Sequence, residues 1–369
     1  MARAVARIDL GAVERNCARL KTELREGAEL CAVVKADGYG HGADSCANAA
    51  LAGGASRLAV ATGAEAAQIG RRFPQIPLLT MGALTLGDLD DALAAGSEVS
   101  IWRDGFRQAV SARGRSQGRP VRVHVKYDSG MGRLGNPDSA EVLALARACA
   151  EDPQLELAGV WTHFASADEP DSDFFGQQLE RFTTLANTVK AEFPGVIAHA
   201  ANSAAVFRDA RSHFDMARCG VAVYGLDPFQ GDAAERGLAP AMSLRSYVAD
   251  VKRFAAGSSA GYGQTWRAAT DTWVGVLPLG YGDGVRRALS NNAEVLVRGR
   301  RHPLVGTVSM DNVTVDLGPE TKVEPGDEAV LIGAQGEEMI PAEEVAQRIG
   351  TINYEVTCGI TARVPREPS

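Results

Sequence analysis

The sequence predicts an α/β fold: a (β/α)8 TIM barrel over residues 1–235, followed by a mostly β C-terminal domain over residues 236–369. Three observations lead there. Short apolar runs alternate with amphipathic stretches up to about residue 230. Continuous apolar strands separated by helices mean parallel strands covered on both faces. About eight strand–helix units can be counted, the number that closes such a barrel. A doubly wound sheet absorbs the same alternation, so the count by itself leaves that topology open. The length of 369 residues suits two domains, or one large domain with an addition.

The first run, "LCAVVKA", closes on Lys35 and leads into "DGYGHG", with three glycines in five positions. Glycines there let the backbone approach something closely. Such a turn can cradle a phosphate, and a lysine at a barrel mouth can bond an aldehyde through its amine. The runs "RLAVATG", "IPLLTMGA" and "SEVSIW" supply three further strands. "VRVHVKYD" carries Lys126 and Asp128, with Arg133 in the loop that follows. The next segment, "DSAEVLALARACAED", places Val142, Leu145, Ala146 and Cys149 on one helical face. "LELAGVWTHF" ends near His163, "VIAHAAN" at Asn202-Ser203, and "MARCGVAVYGL" carries Arg218 followed by Gly220.

Beyond residue 236 the pattern changes. "EVLVRGRRHPLVGTVSMDNVTVDLG" alternates apolar and polar residues around a Gly–Arg turn, and "GDEAVLIG" follows. One clear helix, "PAEEVAQRIG", interrupts an otherwise antiparallel pattern. The junction lies near "QGDAAERGLAP", and the first few residues of the chain are free to pair with the C-terminal domain.

The bulk composition excludes several classes. A formal net charge of −8 without a basic stripe argues against a nucleic-acid partner. No apolar run is long enough to span a membrane, and the start lacks the apolar core of a signal peptide. The cysteines at 17, 31, 46, 149, 219 and 358 form no CxxC pair and read as reduced thiols of a cytoplasmic protein. Six histidines form no HExxH or paired-ligand pattern, so no metal site is expected.

"GYGHGA" and "GMGRLG" fit glycine fingerprints of dinucleotide-binding oxidoreductases, which makes that a rival reading. A ribose-holding acid is then needed after the next strand. Glu65 is the only approximation after the first loop, and the second has none. Lys35 and Arg133 also charge loops in which bare backbone normally meets a pyrophosphate. The strand ends favour a different ligand. In a barrel, chemistry gathers where the strands end. Lys35, Lys126, Arg133, His163, Ser203 and Arg218 would ring one pocket with cations, one imidazole and a helix start. Pyridoxal 5'-phosphate suits it: Lys35 offers an amine, and the Asn202-Ser203 turn with the backbone at Gly220 and Val221 offers a phosphate seat. Arg218 cannot accept a proton, so it would leave the ring nitrogen neutral and weaken the electron sink.

Nine segments in order then resemble the alanine racemase family, pyridoxal-phosphate enzymes of fold type III, nearly end to end. They are "AVVKADGYGHG", "HVKYDSGMGRLG", "WTHFASAD", "HAANSAA", "MARCGVAVYGL", "AGYGQTW", "LPLGYGDGVRR", "VGTVSMDNVTVD" and "INYEVTCGITARVPR". The resemblance implies interconversion of L- and D-alanine by two bases, supplying D-alanine for peptidoglycan, in a homodimer with shared active sites. Lys35 matches the cofactor-linked lysine and base for D-alanine, and Tyr262 the opposite base for L-alanine. Arg133 and Met310 match groups that bind the substrate carboxylate. Tyr39, Ser203, Gly220, Val221 and Tyr354 match phosphate contacts, Arg218 the partner of the ring nitrogen, and His163 a residue against the ring. Tyr281 and Tyr354 match a pair that narrows the entrance, Lys126 matches a lysine carbamylated in many members, and Asp311 is a supporting residue. Ser309 and Ala362 depart from the cysteine and tyrosine of many relatives, which bears on pocket detail rather than on reaction type. A serine racemase of the same family would share every one of these segments.

Overall fold

The computed structural model describes residues 2–369. The chain divides into two compact units. One comprises Val13–Gly38 and Ala43–Val223; the other comprises residues up to Ala12, Tyr39–Gly42 and Tyr224–Ser369.

The first unit is a closed eight-stranded parallel barrel. Counting the N-terminal strand β1 (Val5–Ile8) first, its strands are β2 (Glu29–Val33), β3 (Arg57–Val60), β4 (Leu78–Thr80), β5 (Glu98–Ile101), β6 (Val121–Lys126), β7 (Leu155–Trp161), β8 (Ile197–His199) and β9 (Met216–Cys219). Every one of the eight apolar runs forms a barrel strand. The barrel closes through β2 and β9, with Cys31 opposite Arg218. Closure removes both sheet edges, and with them the doubly wound alternative. Helices between the strands begin at side chains that satisfy their first N–H groups. Thr62 and Glu65 cap each other's backbone reciprocally, and Asp138 accepts from Ala140 and Glu141. The helix Ser139–Glu151 buries Val142, Leu145, Ala146 and Cys149, the face read from its periodicity.

The second unit is built on an antiparallel sheet. Its strands after β1 are β10 (Met242–Tyr247), β11 (Asp250–Phe254), β12 (Ser259–Ala260), β13 (Trp266–Arg267), β14 (Thr272–Leu277), β15 (Ala293–Val297), β16 (Arg300–Val305), β17 (Val313–Gly318), β18 (Glu328–Gln335), β19 (Glu338–Ile340) and β20 (Arg366–Pro368). The main sheet runs β11-β14-β17-β16-β15-β18-β10-β1-β20, with β19 on β18 and β12 paired to β13 separately. β1 pairs antiparallel with β10 and parallel with β20. Burial alternates residue by residue along β10 and β17, as expected of a sheet with one covered face. The helix Ala342–Arg348 is the one the sequence predicts. A second, Asn353–Cys358, is not predicted, because six residues hold too little periodicity to read. It is pinned by Asn353, wholly buried, whose Nδ2 donates to Asp227 O at 2.9 Å and to Glu343 Oε1 at 2.8 Å. Among the described residues, no helix is long and apolar enough to cross a membrane.

Candidate active site

Lys35 lies two residues past the end of β2. The chain then turns left-handed through Ala36, Asp37, Gly38 and Tyr39, with φ of 52°, 51°, 61° and 53°. Each left-handed residue other than glycine costs roughly 1–2 kcal/mol, so the turn must be held from outside. Ala36 N–H donates to Glu65 Oε1 at 2.7 Å, and Asp37 Oδ1 accepts from Ala43 N–H at 2.9 Å. The other Glu65 oxygen accepts from Ala61 N–H at 2.8 Å. Both oxygens of the one acid available to a ribose are therefore engaged by backbone. Gly40 answers for a different close approach: a Cβ there would lie 2.2 Å from the Thr357 carbonyl oxygen. The loop after β6 is organised in the same self-contained way. Asp128 Oδ1 accepts from Gly130 and Gly132 N–H at 3.0 and 3.1 Å, and its Oδ2 from Arg133 N–H at 3.2 Å. The "GMGRLG" amides thus enclose their own carboxylate.

At the strand ends of the barrel the cations converge. Arg218, 3 % exposed on β9, donates through Nη1 to His199 Nδ1 at 2.8 Å. Its Nη2 donates to Thr162 O at 2.8 Å, to Ala200 O at 3.0 Å and, more distantly, to His163 Nδ1 at 3.4 Å. The Arg218 guanidinium carbon lies 4.6 Å from the centre of the Trp161 ring, and Lys126 Nζ lies 4.0 Å from it. Burial, then Arg218 and Arg133, push the Lys126 amine down to about 7. His163 is driven well below the usual imidazole value by burial and by Arg218, Arg133, Lys126 and Lys35, so it is neutral. Burial lowers Arg218 to about 10, which leaves it cationic near neutral pH. Ser203 opens the helix Ser203–Arg208, capped by Asn202, whose side chain accepts from Ala205 N–H. Its Oγ accepts from Gly220 and Ala222 N–H at 3.1 and 3.3 Å.

The other unit presents its own group on interlocked loops. Tyr262 follows Gly261, and its carbonyl oxygen accepts from Thr307 Oγ1 at 2.8 Å. Tyr281 N–H donates to Ser309 O at 3.0 Å, and Gly282 N–H to Met310 O at 2.9 Å. Asp311 accepts from Arg363 Nη2 at 2.7 Å. Asp283, 1 % exposed, accepts from Gly280 N–H at 2.9 Å and pairs with Arg3, tying the Tyr281 loop to the segment just before β1. Tyr262, Met310 and Tyr281 are left 73 %, 52 % and 42 % exposed. Tyr39 packs against Tyr224 and Tyr354, with ring centres 5.2 and 6.1 Å apart.

Sequence reasoning missed Glu98, His124, His199, Trp161 and Asp283. The signal for the first three was a charged or imidazole residue inside a strand-like run, "SEVSIW", "VRVHVK" or "VIAHAAN". For Asp283 it was one acid within a turn of glycines, "GYGDG".

Known proteins share this architecture. The family model "Alanine racemase, N-terminal domain" matches residues 8–228, and "Alanine racemase, C-terminal domain" matches residues 241–368. An alanine racemase of Symbiobacterium thermophilum is 44% identical over 362 residues, which is 98% of this chain and 96% of that one. Alanine racemase 1 of Bacillus subtilis is 38% identical over 98% of this chain and 92% of the relative. The crystal structure of alanine racemase from Streptomyces lavendulae superposes with a TM-score of 0.95 at 37% identity, covering 100% of this chain and 97% of the other.

Proposed function

The chain belongs to the alanine racemase family and is an amino-acid racemase; from that premise we propose that it interconverts L- and D-alanine with pyridoxal 5'-phosphate and two bases, Lys35 and Tyr262. The observation that carries this reading is the convergence of Lys35, Lys126, Arg133 and Arg218 around the neutral imidazole of His163. The donor set fits the cofactor, since a cation-rich pocket suits a phosphate and a carboxylate together. The indole N–H of Trp161, buried without a partner among the described residues, adds one more donor. Bound there, the cofactor supplies an electron sink that acidifies the α C–H of an amino acid joined to it.

Lys35 would hold the cofactor through its amine and would move the α-proton on the D-alanine side. Tyr262 moves it on the L-alanine side. A single base would return the proton to the face it left, so inversion calls for one on each side. Tyr262 acts on that face as its conjugate base, a charge that the cations around the ligand favour. Arg133 binds the substrate carboxylate, aided by the Met310 backbone, with Lys126 and Asp311 in support. Ser203, Gly220 and Val221 seat the phosphate, and Tyr39 and Tyr354 are its remaining contacts. Tyr281 and Tyr354 narrow the entrance. Arg218, a donor on every nitrogen, would be the partner of the cofactor's ring nitrogen and would bring it no proton that the arginine can give up, which would favour quick proton return over transamination.

The exposure of Tyr262, Met310 and Tyr281 on one set of loops supports a two-fold homodimer in which each site pairs Lys35 with the partner subunit's Tyr262. Two inactive variants, Lys35→Ala and Tyr262→Phe, then complement. With random pairing half the dimers are mixed, and one site in each is whole, so activity returns to roughly a quarter of wild type. No recovery, with mixed dimers shown to form, contradicts the shared site and leaves the two bases standing. We place the reaction in the cytoplasm, supplying D-alanine to peptidoglycan assembly.

The function itself is tested by following optical inversion of L- and D-alanine with purified protein, with L-serine as competitor, while the cofactor's absorption is recorded. Inversion of alanine in both directions with weak competition by serine is expected. A preference for serine would make it a serine racemase of the same family, and absence of inversion with cofactor bound would overturn the reading.

A further inference from the structure

A column of polar side chains crosses the inside of the barrel, where apolar layers usually fill the space. It begins at Glu98, the first residue of β5, 5 % exposed. Arg57 Nη1 donates to Glu98 at 3.2 Å and Arg122 Nε at 2.7 Å. Glu98 Oε2 lies 2.6 Å from His124 Nε2, His124 Nδ1 lies 2.8 Å from His199 Nε2, and His199 Nδ1 lies 2.8 Å from Arg218 Nη1. Both imidazoles are wholly buried. Room for the first comes from Gly159 on β7, where a Cβ would lie 2.1 Å from His124 Nδ1. The second stacks on Trp161, with ring centres 5.7 Å apart and planes 6° from parallel.

The two ends of this column fix its polarity. A guanidinium only donates, and a carboxylate only accepts. Between them, each neutral imidazole offers one donor and one acceptor. Only one arrangement satisfies all three contacts. His199 accepts at Nδ1 from Arg218 and donates at Nε2; His124 accepts at Nδ1 and donates at Nε2 to Glu98. Protonating either ring would set N–H against N–H. We infer that Glu98, His124 and His199 are positioning residues: they hold both histidines as neutral Nε2–H tautomers and thereby present a lone pair that orients Arg218 from the opposite end of the barrel. The importance of this for the cofactor rests on the role proposed above for Arg218; the tautomers themselves do not.

The column also restricts what position 218 can hold. A carboxylate there would need His199 to donate from Nδ1 and His124 to donate from Nδ1 in turn. The bare His124 Nε2 would then face the Glu98 carboxylate, and one extra proton would be required between them. Arg218→Glu therefore takes up a proton that wild type does not. Glu98→Gln removes that requirement, because its amide can turn to donate to His124.

The test is nitrogen NMR of protein labelled with 15N-histidine, with and without bound cofactor, from mildly acidic to alkaline pH. The groups facing the column are Arg57, Arg122 and Glu29 around Glu98, and Lys126 and Arg218 around Trp161 and His199. His124 and His199 are expected to show one protonated Nε2 and one bare Nδ1 each, unchanged across that range. Glu98→Gln alone, nearly isosteric, is expected to leave both tautomers in place, because Arg218 still donates to His199 Nδ1, and combined with Arg218→Glu it is expected to restore the pH-independent spectrum that Arg218→Glu alone loses. An Nδ1–H tautomer, or a titrating imidazole, at either position in wild type overturns the inference. Because the measurement needs no turnover, that failure leaves the racemase reading standing, and a failed racemase assay leaves the column untouched.

Discussion

Lys35→Ala is expected to reduce alanine racemisation by at least about ten-thousand-fold, because in the proposed mechanism it removes a proton-transferring base and the covalent hold on the cofactor at once. The two losses are separable. Added free amines can substitute for part of the lost base, but they cannot restore attachment to the protein. Reducing the wild-type holoenzyme with borohydride, followed by peptide mapping, is expected to find the cofactor on the peptide that contains Lys35. The fold should survive, since Lys35 stands beyond the end of β2, and the left-handed turn after it is held by Glu65 and by Asp37. A label on Lys126 instead would show that the wrong one of the two barrel-mouth lysines has been assigned.

Tyr262→Phe is the second large effect, a loss of about 10²–10⁴-fold in racemisation with little change in stability. The side chain is 73 % exposed in the single chain, and what anchors its loop is the Thr307 bond to its carbonyl oxygen, which phenylalanine keeps. The loss therefore falls on the phenol oxygen itself. A comparable loss in melting temperature would show that the residue is structural.

Much of this was legible from the chain, for reasons that differ by element. The eight barrel strands could be read because most of their residues are buried and apolar, as in "LCAVV" and "LAGVW". The cations of the site could be read because barrel chemistry collects at strand ends, which made Lys35, Lys126 and Arg218 stand out once the strands were placed. The left-handed turn after Lys35 could not. Ala36 and Tyr39 carry no preference for positive φ, and long-range bonds such as those from Ala36 to Glu65 and from Ala43 to Asp37 help to hold the turn there. Glu98, His124 and His199 were hidden for a related reason. Each sits inside a short strand, and its partner lies on another strand, brought within reach by the register of the closed barrel.

The central claim is that two bases work from opposite faces, Lys35 toward D-alanine and Tyr262 toward L-alanine. Proton exchange measures the two faces independently of inversion. In deuterium oxide, Tyr262→Phe should still exchange the α-proton of D-alanine, because Lys35 remains, while exchange into L-alanine collapses together with racemisation. Proton NMR of each enantiomer incubated separately with the variant holoenzyme reads both rates. Equal loss of exchange from D- and L-alanine, or equal retention in both, would contradict a base on each face.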